Sequence, residues 1–174
     1  VNEKSISKLK DNSILVTTGV CQQEAIELNK AFFYKYTHNK PYLRLKFGAS
    51  LDGKIATEKK ESKWITSKGS RNYVQKIRAE VNAILTTSNT VIQDNPFLNI
   101  RDSKIIKSHA KQPSIIILDT KLRIPQSANI FKTDRLIILI TDAKNASEAT
   151  LKLYNQNVVI KYVSTKNNMI QLKD

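Results

Sequence analysis

Two arginines stand at positions from which they could bind a phosphate group. Arg78 lies near the end of a predicted helix over 67–80, and Arg101 follows a turn marked by Pro96. A guanidinium fork matches the oxygens of a phosphate, so the two side chains would form a phosphate clamp if they converge, with a hydroxyl such as that of Ser62. A surface ion pair is the alternative for each arginine taken singly.

The segment 45–67 contains Gly48, at the end of a predicted strand, and Trp64, the only tryptophan of the chain. Gly48 closes an apolar run and would let a ligand approach the backbone. Ligands of open α/β sheets bind beyond the carboxyl ends of the strands. Trp64 precedes a helix that Thr66 or Ser67 could cap, so its ring could wall the same crevice. Ordinary packing, with Trp64 in the core, explains the same pattern equally well.

The hydrophobic pattern predicts an α/β protein with a parallel sheet. Strands are predicted at about 42–49, 82–87, 114–119, 135–141 and 158–164, with a short one at Leu98 and Ile100, and helices at about 67–80 and 145–154. Several strands are continuous apolar runs, which is typical of a sheet covered by helices on both faces. Before Pro41, residues 12–20 and 23–36 indicate a separate strand and helix.

Composition argues against a metal site and against a nucleic-acid site. Cys21 is the only cysteine, which excludes an intramolecular disulfide and a cysteine-cluster metal site, and His38 and His109 lack a ligand-like spacing. The net charge is +14, but no Lys/Arg run exceeds Lys59-Lys60 and aromatic residues do not alternate with the cations. We therefore favour a lysine-rich solvated surface over nucleic-acid binding, and a small phosphorylated ligand remains compatible.

The polar first residues contain no signal peptide, and no apolar run is long enough to cross a bilayer. We therefore expect a cytoplasmic chain with no membrane partner.

Four motifs occur in order over residues 41–119: PYLRLKFGASLDGKIA, ESKWIT, IRAEVNAILTTSNTVIQDNPFLNIR and PSIIILD. Together they resemble the reductase domain of the RibD-type bifunctional deaminase/reductase of riboflavin biosynthesis, whose fold is like that of dihydrofolate reductase. Residues 1–40 resemble the closing βα unit of that family's cytidine-deaminase-like domain. The resemblance therefore implies a deaminase tail at 1–40 and the N-terminal and central part of a reductase domain at 41–174.

The resemblance also implies the reaction. NADPH would reduce 5-amino-6-(5-phosphoribosylamino)uracil at the ribosyl C1′ to the ribitylamino phosphate, without a metal. Matched position by position, the NADP-contacting residues are Gly48, Trp64, Thr90 and Asp94, and the substrate-contacting residues are Ser62, Arg78, Leu98 and Arg101. Lys46 matches a lysine that points toward the reacting sugar, and it or a water is the candidate proton donor. A homodimer or higher homo-oligomer is implied as well.

The chain departs from the family pattern in two places. Lys60 stands where a glycine usually precedes the Glu-Ser pair, so the loop over the cofactor could differ. No counterpart of the family's glycine-rich diphosphate-binding segment precedes Asp174, and the zinc ligands of the deaminase would lie upstream of Val1. We therefore expect this polypeptide to be inactive by itself. A non-catalytic binding or assembly piece and a dihydrofolate-reductase-like enzyme with another substrate remain alternatives.

Overall fold

A computed structural model describes the chain at residues 4–59, 61–108, 111–145, 147, 154, 156–167 and 169–171. The chain divides into two compact units, Val1–Gly48 and Ala49–Asp174. No helix among the described residues has the length and apolar character that a bilayer crossing requires.

The first unit is helical. It contains α1 (Lys4–Asp11), α2 (Gln22–Leu28) and α3 (Lys30–His38). The helix predicted at 23–36 is confirmed in type, but it is interrupted at Asn29, whose φ of −115° and ψ of 30° are not helical. Tyr34 at the middle of α3 stacks on His38, with 4.3 Å between the ring centroids.

The strands predicted at 12–20 and 42–49 are wrong, because neither stretch forms a strand in the described structure. Both have the composition of a strand. A strand exists only when a second strand pairs with it, and β-propensity reflects that context more than the backbone itself. The apolar side chains of the second stretch are consequently exposed, including Leu45 at 86% and Phe47 at 67%.

The second unit is built on a parallel sheet, as the hydrophobic pattern predicts. Its strands lie in the order β1 (Ala83–Thr87), β2 (Ser114–Leu118), β3 (Ile137–Asp142) and β4 (Val158–Val163). Two short antiparallel strands follow, β5 (Thr165–Lys166) and β6 (Met169–Ile170). The strand predicted at Leu98 and Ile100 is wrong, since residues 95–102 have no regular structure.

The core lies along the two central strands. Ile115, Ile117, Ile137 and Leu139 alternate along β2 and β3 and are fully buried, and Val91 of the adjoining helix joins the same cluster. Burial of such aliphatic side chains supplies about 1.5–3 kcal/mol each. The edge strand β1 is less well buried, and its Leu85 is 55% exposed.

The helix predicted at 67–80 is confirmed as α4 (Lys68–Ala79). Ser67 is its N-cap, since the Ser67 Oγ accepts a hydrogen bond from the Ser70 N–H at 3.1 Å. Tyr73 on α4 is 62% exposed, whereas the polar Gln75 is the buried side chain. A polar residue takes the inward position because it has a hydrogen-bond partner there.

Two further short helices, α5 (Ser88–Asp94) and α6 (Ser103–Ser108), flank the irregular stretch at 95–102. Single turns of 3₁₀ helix occur at Asn129–Phe131 and Ala143–Asn145. The helix predicted at 145–154 lies mostly outside the described residues.

Candidate active site

Arg78 and Arg101 both lie at the irregular stretch that follows α5. Arg78 lies in the last turn of α4, and its Nη1 donates a hydrogen bond to the Asn99 carbonyl oxygen at 2.8 Å. Burial, and then the positive charge of Arg101, lower the pKa of Arg78. Positive charge from two side chains thus acts at this stretch, which favours an anion there.

A third arginine, Arg135, lies beside this pair. It precedes β3, is 9% exposed, and donates hydrogen bonds to the carbonyl oxygens of Phe97 and Leu98. Burial, and then the charge of Arg78, lower the pKa of Arg135 to about 10. The sequence analysis missed this residue, because one arginine at the start of an apolar strand carries no local signal.

No carboxylate forms an ion pair with these arginines within the part of the chain that the structure describes. The ion pair found there joins Lys30 to Glu27 in the first unit. Bringing cations together in a partly buried place is unfavourable unless an anion or many hydrogen bonds compensate. The cluster of Arg78, Arg101 and Arg135, here called the arginine cluster, is thus suited to a phosphate group.

The arginine cluster lies at the amino-terminal edge of the sheet. Arg135 stands just before β3, and the backbone of Ile100 pairs with the side chain of Gln112, just before β2. Thr90, by contrast, lies in the first turn of α5, immediately beyond the carboxyl end of β1. Helix α5 and the stretch after it therefore lead from one edge of the sheet toward the other.

Ser62 and Asp94 come together, although the sequence analysis assigned them to different ligands. The Ser62 Oγ donates to the Asp94 Oδ1 at 3.4 Å, and Asp94 is the last residue of α5. At the first turn of the same helix, the hydroxyls of Thr87 and Thr90 are 3.5 Å apart. The serine predicted to contact the substrate is thus bonded to the carboxylate predicted to contact the cofactor.

Trp64 is not a core residue. Its side chain is 70% exposed, and the guanidinium carbon of Arg71 lies 4.2 Å from the ring centroid. Arg71 also donates a hydrogen bond to the Thr66 carbonyl oxygen. Arg71 thus contacts Trp64 and Thr66, whereas Arg78 on the same helix bonds the Asn99 carbonyl oxygen. The exposed ring of Trp64 remains accessible to a flat ligand.

Lys46 and Gly48 lie in the first unit, in a stretch without regular secondary structure. Lys46 is exposed and Gly48 is partly buried. The roles predicted for these two residues stay predictions. Lys60 and His109 lie outside the described residues. Within the described ranges, no group of three or more His, Cys, Asp or Glu side chains could hold a metal ion.

Comparison with known proteins identifies the family. The model of the RibD C-terminal domain matches residues 41–174. The chain belongs to the RibD C-terminal domain family. It is 41% identical over 173 residues to the riboflavin biosynthesis protein RibD of Aquifex aeolicus, a match covering 98% of this chain and 48% of that protein.

Solved structures of RibD proteins share the fold. The structure of RibD from Acinetobacter baumannii superposes with a TM-score of 0.79 and 33% identity, over 95% of this chain and 45% of that chain. A second structure is that of a Thermotoga maritima protein described as a diaminohydroxyphosphoribosylaminopyrimidine deaminase/5-amino-6-(5-phosphoribosylamino)uracil reductase. It superposes with a TM-score of 0.76 and 30% identity, over 89% of this chain and 41% of that chain. The chain thus spans about half the length of these RibD proteins or somewhat less. The predicted family and α/β fold, a parallel sheet with flanking helices, are confirmed.

Proposed function

We propose that this chain supplies the reductase part of an enzyme that reduces 5-amino-6-(5-phosphoribosylamino)uracil with NADPH. The observation that carries the proposal is that Arg78 bonds the backbone two residues before Arg101, and that neither arginine has an ion-pair partner among the described residues. Family membership supports the substrate class, since the Thermotoga maritima relative is described as a reductase of this compound.

Two members of the arginine cluster, Arg78 and Arg101, would bind the 5′-phosphate of the substrate. Arg78 and Arg101 supply guanidinium donors, and the Ser62 hydroxyl is a further donor on the substrate side. Leu98 has a φ of 50° and lies at the same irregular stretch, where its side chain contacts the hydrophobic core. Holding the phosphate at this edge would fix the position of the sugar and so of the carbon that is reduced.

The cofactor-side residues have the chemistry that a dinucleotide requires. Trp64 offers an accessible aromatic face, Thr90 a hydroxyl, and Asp94 an exposed carboxylate that can accept from a ribose hydroxyl. Gly48 would allow a close approach of the backbone. NADPH, when bound, supplies the hydride that adds to C1′.

Reduction of the open-chain imine adds a hydride to C1′ and a proton to the adjoining nitrogen. The proton donor in this proposal is Lys46 or a water molecule. A lysine suits this role because its ammonium group can release one proton to a developing amine and recover it from solvent.

The remaining parts of the proposal concern the whole protein. Residues 1–40 would be the closing part of a deaminase-like domain and 41–174 the first and central part of the reductase domain. The protein would act in the cytoplasm as a homodimer or higher homo-oligomer. Its partner would be the small phosphorylated pyrimidine rather than a nucleic acid.

Replacement of Arg101 tests the proposal. The Arg101 side chain is exposed, so Arg101→Ala should leave the fold intact. At the full encoded length of the protein, the KM for the pyrimidine should rise by about 10- to 150-fold, the effect of losing about 1.5–3 kcal/mol of charge-assisted hydrogen bonding. The KM for NADPH should stay nearly constant.

Lys104→Ala is a matched control, because Lys104 is an exposed cation close to Arg101 along the chain. It should change neither KM. Equal losses for both ligands after Arg101→Ala, or no loss for either, would show that Arg101 does not bind the substrate phosphate.

A further inference from the structure

Residues 95–101, here called the phosphate loop, have no regular structure, yet side chains from other elements bond their backbone at most positions. Asn129 bonds Asn95, Arg135 bonds Phe97 and Leu98, Arg78 bonds Asn99, Gln112 bonds Ile100, and Gln75 bonds Arg101. Backbone groups that lack a ladder partner must be satisfied in some other way when they are buried. Here the partners come from several separate elements, so the loop conformation depends on the tertiary structure.

The side-chain amide of Gln112 bonds both backbone groups of Ile100, as a neighbouring strand would. Its Oε1 accepts from the Ile100 N–H at 2.7 Å, and its Nε2 donates to the Ile100 carbonyl oxygen at 3.0 Å. One residue later, the Oε1 of Gln75 accepts from the Arg101 N–H at 2.8 Å. The backbone that carries the Arg101 side chain is thus fixed on two consecutive residues.

Arg135 fixes the other half of the loop. Its guanidinium reaches the carbonyl oxygens of Phe97 and Leu98, and that of Pro113 at 3.4 Å. Leu98 adopts a φ of 50°, a left-handed conformation that is unfavourable for a leucine unless its surroundings hold it. A planar fork can bond several carbonyl oxygens at once, which the single ammonium of a lysine does less well.

Burying the charge of Arg135 is unfavourable, which indicates that this residue has a role other than stabilising the core. Arg135 is buried next to Arg78, and no carboxylate among the described residues pairs with it. Replacing buried charges by apolar side chains is often neutral or stabilising, so a well-packed apolar residue would serve the core at least as well. An apolar residue could not hold the loop carbonyl groups in place.

We propose that Arg135 and Gln112 are positioning residues, which hold the phosphate loop so that Arg101 meets the substrate phosphate in a preformed arrangement. They bond the loop backbone and act on the ligand through it. The inference rests on the proposed function for the identity of the ligand. A preformed site binds more tightly because less freedom is lost on binding.

The test compares Arg135→Lys and Gln112→Met with Ile117→Val at the full encoded length. Arg135→Lys keeps the charge and loses the fork, whereas Gln112→Met keeps the approximate size and loses both hydrogen bonds. Ile117→Val is a control that lowers the melting temperature through the core of β2. Two readouts are used: amide hydrogen exchange of residues 98–101, and the separate KM values for the pyrimidine and NADPH.

We expect both positioning variants to speed amide exchange in the phosphate loop and to raise the pyrimidine KM about tenfold. The NADPH KM should change less than about twofold. A loss of stability alone would not select one ligand, so this difference between the two KM values separates a positioning role from a purely structural one. The Ile117→Val control should show neither effect. If Arg135→Lys does not fold, Gln112→Met decides the question, since that side chain is only partly buried.

An unchanged pyrimidine KM in Gln112→Met, with Arg101→Ala still impaired, would overturn the positioning role and leave the proposed function standing. An unchanged pyrimidine KM in Arg101→Ala would overturn the proposed function and the positioning role together. Faster loop exchange with equal losses for both ligands would show that Gln112 and Arg135 serve stability alone, which also overturns the positioning role.

Discussion

Replacing Arg78 by methionine should separate phosphate binding from folding stability. The substitution removes one guanidinium of the arginine cluster and leaves the Asn99 carbonyl oxygen without the donor it now has at 2.8 Å. An unpaired buried carbonyl costs about 1–3 kcal/mol. Removing a partly buried cation next to Arg101 offsets this by an amount of the same order. We therefore expect the free energy of unfolding without ligand to change by less than about 2 kcal/mol.

The response of stability to a sugar phosphate should change much more. A ligand that binds only the folded protein adds about 2.7 kcal/mol at roughly 100 times its Kd. Loss of about 2 kcal/mol of charge-assisted hydrogen bonding weakens Kd by roughly 30-fold. The same ligand concentration would then add only about 0.9 kcal/mol to the free energy of unfolding.

Urea unfolding with increasing ribose 5-phosphate measures this difference. The ionic strength must be held constant, because exposed charges are screened over about 10 Å at 0.1 M salt. Arg71→Met is the matched control, since Arg71 lies on the same helix but contacts Trp64 and Thr66. The reasoning is refuted if Arg78→Met keeps the full response to ribose 5-phosphate, or if Arg71→Met loses as much of it.

Two further predictions concern the cofactor side and the end of β3. Trp64→Ala should raise the NADPH KM about tenfold, as expected for a lost stacking surface. NADPH should also quench the fluorescence of Trp64, the single tryptophan of the chain. An emission that does not change at saturating NADPH would argue against the assignment. The Lys144 N–H and the Thr165 hydroxyl lower the pKa of Asp142, so its contribution to stability is present above its unfolded pKa of about 3.9 and is lost as pH falls through the lower folded value. Asp142→Asn should therefore flatten the acid decline of the free energy of unfolding, measured in urea between about pH 5 and pH 2; an unchanged slope would contradict this.

The sequence by itself determined the elements whose signal is local. The apolar runs of β2 and β3 predict buried strands, and Thr66 or Ser67 is predicted to cap α4, a role that Ser67 takes. Periodicity and capping depend on residues only a few positions apart. The ordered motifs likewise identified the family and singled out Arg78 and Arg101.

Only the tertiary structure decided what depends on distant partners. The stretches at 12–20 and 42–49 have strand composition, but no strand pairs with them in the described part of the chain, and pairing cannot be read from one segment. Gln75 took the buried position on α4 because a backbone N–H from Arg101 meets it there. Arg135 and Gln112 carry no local pattern at all. Their hydrogen bonds to residues 97–100 join positions 12 to 38 residues apart, so their role exists only once the chain is folded.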